Sequence, residues 1–417
     1  MADTVAVAAV AIIRAPLNAL PNPEPAMPGR RPDAHALQRR LLLAGLAAGG
    51  LPAWGAPKKP KAPAPQRVLR VGPGETIRTL AEASRQCRDG DRIEVQAGDY
   101  DGDVASWSRH GLRLRAVGGR VRIRAAGRSA QDKGIFVISG EDVEIQGFDF
   151  ADARVPDSNG AGIRFERGSL RVIDCSFRHC EIGLLTNNDP RTRLQVLGCE
   201  FAQAHEGPRF AHLLYVGRIA ELEVRGSYFH RGHRGHLLKS RAARNAVEYN
   251  RLTDEEGGSA SYELEFPNGG QCRVIGNLLG QSADTDNHLM LSYGVEGYAW
   301  PVNTLDIAHN TWINAQRWPG ALLRVSPGAQ RVRLFNNLIA GMGGLDVEPS
   351  WQSGGNMRFS LDPNALSADF ALPADSRLRG SAAPLPEELR PRLQYRHPRQ
   401  TDVLLGPASD PGAIQSA

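Results

Sequence analysis

The feature of this sequence that most restricts its fold is a repeat of strand-like segments between residues 143 and 339. Eight segments align at spacings of 23 to 33 residues, beginning with VEIQGFDF and ending with RLFNNLI. β-Branched and aromatic residues alternate with polar ones in these segments, a pattern typical of strands rather than helices. Two columns of the alignment are apolar in all eight segments. A third column carries asparagine in its last four members, which are Asn250, Asn277, Asn310 and Asn337.

Short strands repeated at this period indicate a solenoid in which each repeat stacks on the next. Leucine-rich repeats have a similar length, but their leucine spacing is absent from this chain. We therefore predict a parallel β-helix with rungs stacked about 4.8 Å apart. Equal residues then form ladders, so the four asparagines should bond to one another and to the turn backbone.

Both ends of the repeat region add to this prediction. The segment from Gly74 to Tyr100 reads GETIRTLAEASRQCRDGDRIEVQAGDY, and the C-terminal part contains SRLRG and later DPGAIQ. With the ladders, these segments resemble the right-handed parallel β-helix proteins of the pectate-lyase-like superfamily. The resemblance implies an all-β, right-handed parallel β-helix over 68–345 with a short N-terminal capping helix. It also implies an irregular tail over 346–417 that packs on the β-helix.

The N-terminal region has the pattern of a secretory signal peptide. Arg39 and Arg40 precede an apolar run over 41–51, and small residues follow. This order is typical of export signals, and the run is too short to span a bilayer. We expect residues 1–56 to form a leader, with Met27 as the true start, and the protein to be periplasmic or secreted.

Composition narrows the possible partners. Residues 57–67 form a Pro/Lys-rich stretch typical of a flexible linker. The formal net charge is only +5, and the body contains no dense Lys/Arg block, which argues against a nucleic-acid-binding function. We expect a monomer without a membrane span.

A second strand precedes each of the segments in the repeat. Seven such strands align, among them HLLKS at 236 and YELEF at 262. Their third residue is apolar in six cases, so we place it inward, and alternation then places the second and fourth residues outward. Lys239, Glu263 and Glu265 would accordingly lie on the outer face. Because most of the outward second column is apolar, we expect loops to cover this sheet or the sheet to form the floor of a groove.

The segment Lys239-Ser240 with Asn245 is similar to part of the chondroitinase B and alginate lyase family, in which a lysine acts as the base. The resemblance implies that role for Lys239. Two differences between this chain and that family affect the other roles that the resemblance implies, including calcium binding. That family has two glutamates for calcium shortly before the lysine, where this chain has His233 and His236, and an arginine on the following rung, where this chain has Glu265. Calcium is therefore an open possibility without support at those positions.

A lyase for an acidic polysaccharide needs a group to neutralise the uronate carboxylate, a base for the C5 proton and an acid for the leaving oxygen. Arginine can serve the first role, lysine or histidine the second and tyrosine the third; cations near a lysine would lower its pKa, whereas a carboxylate would raise it. We predict a catalytic group of Lys239, Glu265, Glu263, His236 and Tyr215. We predict substrate-binding roles for Arg241, Arg244, His212, His288 and Tyr262.

Other interpretations of these residues stay open. Lys239 and Glu265 can form an ion pair between rungs without catalysing any reaction. Glu263 and Glu265, with backbones about 6.6 Å apart, can act as the acid and base of a glycoside hydrolase. A third alternative is a non-catalytic protein that binds glycans or has a structural role at a surface. Cys175 and Cys199 occupy neighbouring rungs of one column, and we expect stacked thiols there rather than a disulfide.

Overall fold

The computed structural model of the protein describes residues 66–207, 210–285 and 287–416. The predicted leader lies outside these residues, as does most of the predicted linker. The chain forms an all-β, right-handed parallel β-helix of about ten turns, which confirms the predicted fold class. None of the helices in the described part of the chain has the length and hydropathy needed to cross a membrane.

A nine-stranded parallel sheet, here called the site sheet, forms one face of the β-helix. Its strands are Ala105–Trp107, Gly134–Ile138, Ala161–Phe165, Ile182–Thr186, Leu214–Val216, His236–Ser240, Tyr262–Phe266, Leu291–Tyr293 and Leu323–Val325.

The remaining rung strands form a sheet of twenty-one strands, with two rows of strands along the solenoid. The first row comprises Val68–Val71, Arg92–Asp99, Arg113–Arg124, Val143–Gln146, Ser169–Ile173, Arg193–Leu197, Glu221–Arg225, Arg244–Glu248, Gln271–Ile275, Thr304–Ala308, Arg331–Phe335 and Gln352–Gly354. The second row comprises Phe148–Ala151, Ser176–Arg178, Glu200–Ala202, Tyr228–His230, Arg251–Thr253, Leu278–Gln281, Thr311–Asn314, Leu338–Gly341 and Met357–Ser360.

A short α-helix, Leu80–Gln86, lies at the N-terminal end, as predicted. The side chain of Thr79 caps the helix by accepting a hydrogen bond from the backbone N–H of Glu82 at 3.1 Å. Leu80 is fully buried in the core of the β-helix. The helix therefore covers apolar surface at the end of the solenoid.

The predicted asparagine ladder is present. The Nδ2 atom of each asparagine donates to the Oδ1 atom of the next, at 3.0 Å from Asn250 to Asn277, 3.0 Å to Asn310 and 3.1 Å to Asn337. Asn356 extends the ladder at 2.8 Å. All four predicted members are buried, so these bonds satisfy amide groups that cannot reach water.

Aromatic rings stack in the interior beside this ladder. The ring centroids of Phe150, Phe177, Phe201 and Phe229 follow one another at 5.2, 4.5 and 4.7 Å, with nearly parallel planes. These residues belong to one of the two columns that are apolar in all eight aligned segments. Cys175 is a free, buried thiol, as predicted.

The C-terminal segment lies on the outside of the solenoid. It contains a 3₁₀-helix, Glu387–Leu389, and an antiparallel hairpin of Leu393–Arg396 and Gln400–Val403. Leu389 packs against Tyr249, and the backbone N–H of Ala413 donates to Thr311 at 2.9 Å. Rung strands continue to Ser360, so the β-helix extends beyond the boundary expected at 345.

Candidate functional site

The site sheet aligns one outward-facing column of side chains near its middle. The observed register pairs Tyr215 with Lys239 and Lys239 with Glu265, as the sequence alignment predicted. On the two adjoining rungs, the alignment was wrong by one residue, because the structure pairs Leu185 with Tyr215 and Glu265 with Ser292. The segments GLLTN at 183 and HLMLS at 288, aligned with HLLKS, had instead placed Thr186 and Leu291 in this column. The three central residues are therefore neighbours on consecutive rungs.

Lys239 and Glu265 form an ion pair that is almost excluded from solvent. The Nζ atom of Lys239 lies 2.7 Å from Oε2 of Glu265, with the two side chains 12% and 5% exposed. The Nδ1 atom of His236 lies 3.1 Å from the same oxygen. A buried charge needs such compensation, since breaking a buried pair costs about 3–5 kcal/mol. Glu265 is thus held between an ammonium group and an imidazole.

These contacts and the burial of the cluster shift the pKa values of Glu265 and His236. Burial alone would raise the pKa of Glu265, but His236 and Lys239 beside it lower that pKa to about 2. Burial lowers the pKa of His236, and Lys239 acts in the same direction, although Glu265 opposes both. At neutral pH the cluster therefore contains an ionised Glu265 and a neutral His236.

Arg241 adds a second cation beside Lys239. Its Nε atom donates to the hydroxyl of Tyr215 at 3.2 Å, and its guanidinium donates to Oδ1 of Asn268 at 2.6 Å and to Oε1 of Glu296 at 2.9 Å. Glu296 also lies 3.4 Å from Nζ of Lys239. The two cations consequently share one carboxylate on the solvent side of the sheet.

Aromatic rings line the start of the strands beside the ion pair. The ring of His236 lies 4.7 Å from that of His212 and 4.9 Å from that of Tyr262. Nδ1 of His212 accepts a hydrogen bond from the backbone N–H of His236 at 3.0 Å. Burial, and then the positive charges that His236 and Lys239 can carry, lower the pKa of His212 well below its usual value. His212 and Tyr262 therefore belong to the cluster that contains Lys239.

Glu263 does not face outward, so its predicted orientation is wrong. Its side chain is 0% exposed, and neither carboxylate oxygen has a hydrogen-bond partner among the described residues. The corresponding residues of neighbouring rungs, Leu213 and Leu237, belong to the hydrophobic core. Alternation fails here because this residue and the next one, Leu264, are both buried. Glu263 and Glu265 consequently do not form a pair of carboxylates on one face.

Two predicted substrate-binding residues lie away from the Lys239 cluster. Arg244 begins a strand of the twenty-one-stranded sheet and pairs with Glu221 at 3.2 Å. His288 is exposed, and its Nδ1 atom contacts Oε1 of Gln316 at 2.8 Å. The structure thus brings together Lys239, Glu265 and six further residues: Tyr215, His236, Arg241, His212, Tyr262 and the unpredicted Glu296.

The calcium hypothesis gains no support from the arrangement of side chains. Within the described residues, no group of three or more histidine, cysteine, aspartate or glutamate side chains is placed to hold a metal ion. At the position where the resembling family has calcium-binding glutamates, His236 instead faces Glu265. Calcium prefers several oxygen ligands, and this position does not supply them.

Sequence reasoning missed Glu296 and Asn268. Glu296 and Trp300 come from the segment after Leu291–Tyr293, where Nε1 of Trp300 donates to the backbone carbonyl of Arg241 at 3.1 Å. One signal was available, because the longest spacing in the repeat, 33 residues, falls between Val274 and Ile307. The extra length indicates an inserted loop, and this loop carries Glu296 over the cluster.

Comparisons with known proteins support the architecture. Neither a protein-family model nor a curated protein sequence matches this chain. The chain is similar to the solved structure of pectate lyase Pel9A, with 12% identity and a TM-score of 0.58, covering 85% of this chain and 98% of that chain. It is also similar to a rhamnogalacturonan lyase, with 13% identity and a TM-score of 0.45, covering 70% and 87% of the two chains. At such identities the likeness to Pel9A shows a pectate-lyase-like β-helix fold.

Proposed function

We propose that the protein is an exported lyase that cleaves a uronate-containing polysaccharide by β-elimination at the Lys239 cluster. The observation that carries this proposal is a pair of cations, Lys239 and Arg241, that contact the same carboxylate, Glu296. Beside them lies His236, a neutral histidine next to the carboxylate of Glu265. The fold shared with a pectate lyase supports the same reaction class. The signal-like pattern of residues 1–56 supports export.

The proposed chemistry assigns each group a role. Lys239 and Arg241 bind the uronate carboxylate and stabilise the negative charge that develops as the C5 proton leaves. His236 accepts that proton, since a neutral imidazole near neutral pH is suited to general-base catalysis and Glu265 stabilises the imidazolium formed. The C4–O bond then breaks, a C4–C5 double bond forms, and the leaving oxygen takes a proton from the hydroxyl of Tyr215.

The test is an assay of uronate polymers with and without calcium, following the ultraviolet absorbance of the new double bond. His236→Ala should lower kcat by at least about a hundredfold, the usual contribution of a general base. Lys239→Met should raise KM through weaker binding of the carboxylate and also lower kcat, because Lys239 stabilises the charge that develops in the transition state. Arg244→Ala is the matched control, because Arg244 pairs with Glu221 on another sheet.

Three results would contradict the proposal. Equal activity of the wild type and His236→Ala would remove His236 from the reaction. New reducing ends without unsaturated product would indicate hydrolysis. Binding without cleavage across the panel would favour the non-catalytic alternative. Circular dichroism of each variant separates a lost reaction from a lost fold.

A further inference from the structure

Glu296 occupies the position that a substrate carboxylate would need. Its side chain contacts Nζ of Lys239 at 3.4 Å and donor nitrogens of Arg241, with Oε1 accepting from Nη2 at 2.9 Å. These are the two cations to which the proposed function assigns the uronate carboxylate. A free uronate and the Glu296 side chain carry the same charged group, so they compete for the same donors.

The charges of the cluster explain why a substrate carboxylate has to displace a carboxylate that is already present. Lys239 and Arg241 carry two positive charges, and Glu265 and Glu296 carry two negative charges. Burial, with the positive charge of Lys239, leaves His236 neutral by lowering its pKa, although Glu265 and Glu296 oppose this. The cluster therefore has no net positive charge with which to attract an anionic substrate. Removal of one carboxylate from the cations would restore a positive site.

The two carboxylates differ in how firmly they are held. Glu265 is 5% exposed and lies between Lys239 and His236 within the sheet. Glu296 is 43% exposed and reaches the cations from a loop. An exposed ion pair contributes at most about 1 kcal/mol, whereas a buried one is costly to break. Glu296 is thus the carboxylate that a substrate can displace.

Displacement requires only the side chain of Glu296 to move. The backbone of its loop is fixed, with the N–H of Glu296 donating to the carbonyl of Pro267 at 2.9 Å and that of Ala299 donating to Asn268 at 3.1 Å. The carboxylate lies toward solvent and can rotate off the cations while these bonds stay intact. No opening of the loop is needed.

We propose that Glu296 is an internal stand-in for the substrate carboxylate, which occupies Lys239 and Arg241 until a free uronate displaces it. This inference rests on the proposed function of the same site. A uronate with a free carboxylate replaces Glu296 on Lys239 and Arg241, which keeps both cations paired. A neutral or methyl-esterified sugar leaves the carboxylate of Glu296 in place. Glu296 thereby weakens the binding of ligands with a free carboxylate and has no such effect on uncharged ones.

The test is Glu296→Gln, which keeps the size and polarity of the side chain and removes its charge. An oligogalacturonate should bind about tenfold more tightly to the variant, the gain expected if Glu296 covers the cations about nine-tenths of the time. KM should fall by a similar factor while kcat is retained. The methyl-esterified oligomer should show no comparable gain. Calorimetric titration and the unsaturated-product assay measure these quantities.

A matched control is Glu221→Gln, because Glu221 is 44% exposed and pairs with an arginine, Arg244, on another sheet. It should change neither constant. Product formation with an unchanged KM in Glu296→Gln would overturn this inference and leave the proposed function standing, as would a large fall in kcat. Absence of both binding and product with the wild type and Glu296→Gln would overturn the two together. Thermal unfolding of each variant verifies that it is folded.

Discussion

Replacing Glu263 with leucine should stabilise the protein, by an amount that grows with pH. Glu263 is fully buried, and its carboxylate has no hydrogen-bond partner within the described residues. Burial, followed by the charge of Asp254, raises its pKa well above the usual value. Leu213, Leu237 and Leu322 lie in the core at the corresponding positions of other rungs, so a leucine suits this column.

The size of the effect follows from proton linkage. A carboxyl group with a higher pKa in the folded state than in the unfolded state favours folding less as the pH rises. The loss amounts to about 1.4 kcal/mol per pH unit, from the ordinary pKa of the unfolded chain up to the raised pKa of the folded one. The Glu263→Leu variant lacks this loss, so its advantage should increase by about 1.4 kcal/mol per unit through that range.

Urea unfolding followed by far-ultraviolet circular dichroism, at steps from about pH 5 to about pH 8, measures this difference. Glu263→Gln separates the two causes, because it removes the ionisation and keeps the polarity and shape. Both variants should lose the same component of the pH dependence. Parallel pH profiles for the wild type and both variants would refute the reasoning, since the charge of Glu263 would then be compensated in the folded state.

The asparagine ladder, the buried thiols and the Lys239 ion pair each allow another test. Asn277→Ala should lower the unfolding free energy by about 1–3 kcal/mol in urea titrations, because it leaves the buried backbone N–H of Asn250 without its acceptor. A thiol reagent at neutral pH should label the protein only after denaturation, because burial raises the pKa of Cys180 to about 12 and all five thiols are buried; rapid labelling of the folded protein would contradict this. Lys239→Met should raise the pKa of Glu265 from about 2, detectable by carboxyl NMR titration. The stability that Glu265 contributes is present above its ordinary pKa and is lost as the pH falls, so this variant should unfold at a higher pH during acidification.

The interior of the solenoid could be predicted because its contacts repeat. Asn277 bonds to Asn250 and Asn310 in the same way that Asn310 bonds to Asn337, so a column of identical residues in the sequence becomes a ladder in space. The register of Tyr215, Lys239 and Glu265 followed from the same stacking. Contacts between neighbouring rungs can thus be predicted from the aligned repeats in the sequence.

The orientation of Glu263 could not be predicted from alternation. A regular strand turns successive side chains to opposite faces, but Leu237 and Leu238 are both fully buried in the core. Their corresponding residues one rung later are Glu263 and Leu264. Alternation of inward and outward side chains fails at the start of these strands. The apolar second column of the alignment therefore indicated residues buried in the core, not outward-facing residues covered by a loop.

The solvent side of the site depends on a loop whose path no repeat defines. Glu296 lies 57 positions after Lys239 in the chain and contacts it from an insertion between two rungs. The length of the insertion was visible in the sequence, but the position of its carboxylate depends on backbone bonds such as that from Glu296 to Pro267. Such contacts become visible only in the structure.

The measurement that tests the account most directly is the mass of the products released from a defined uronate oligomer. β-Elimination by the Lys239 cluster predicts two products whose masses sum to that of the substrate, one of them with an unsaturated end. It also predicts that His236→Ala releases neither product at a comparable rate. Products whose masses together exceed that of the substrate by one water would show hydrolysis and contradict the account.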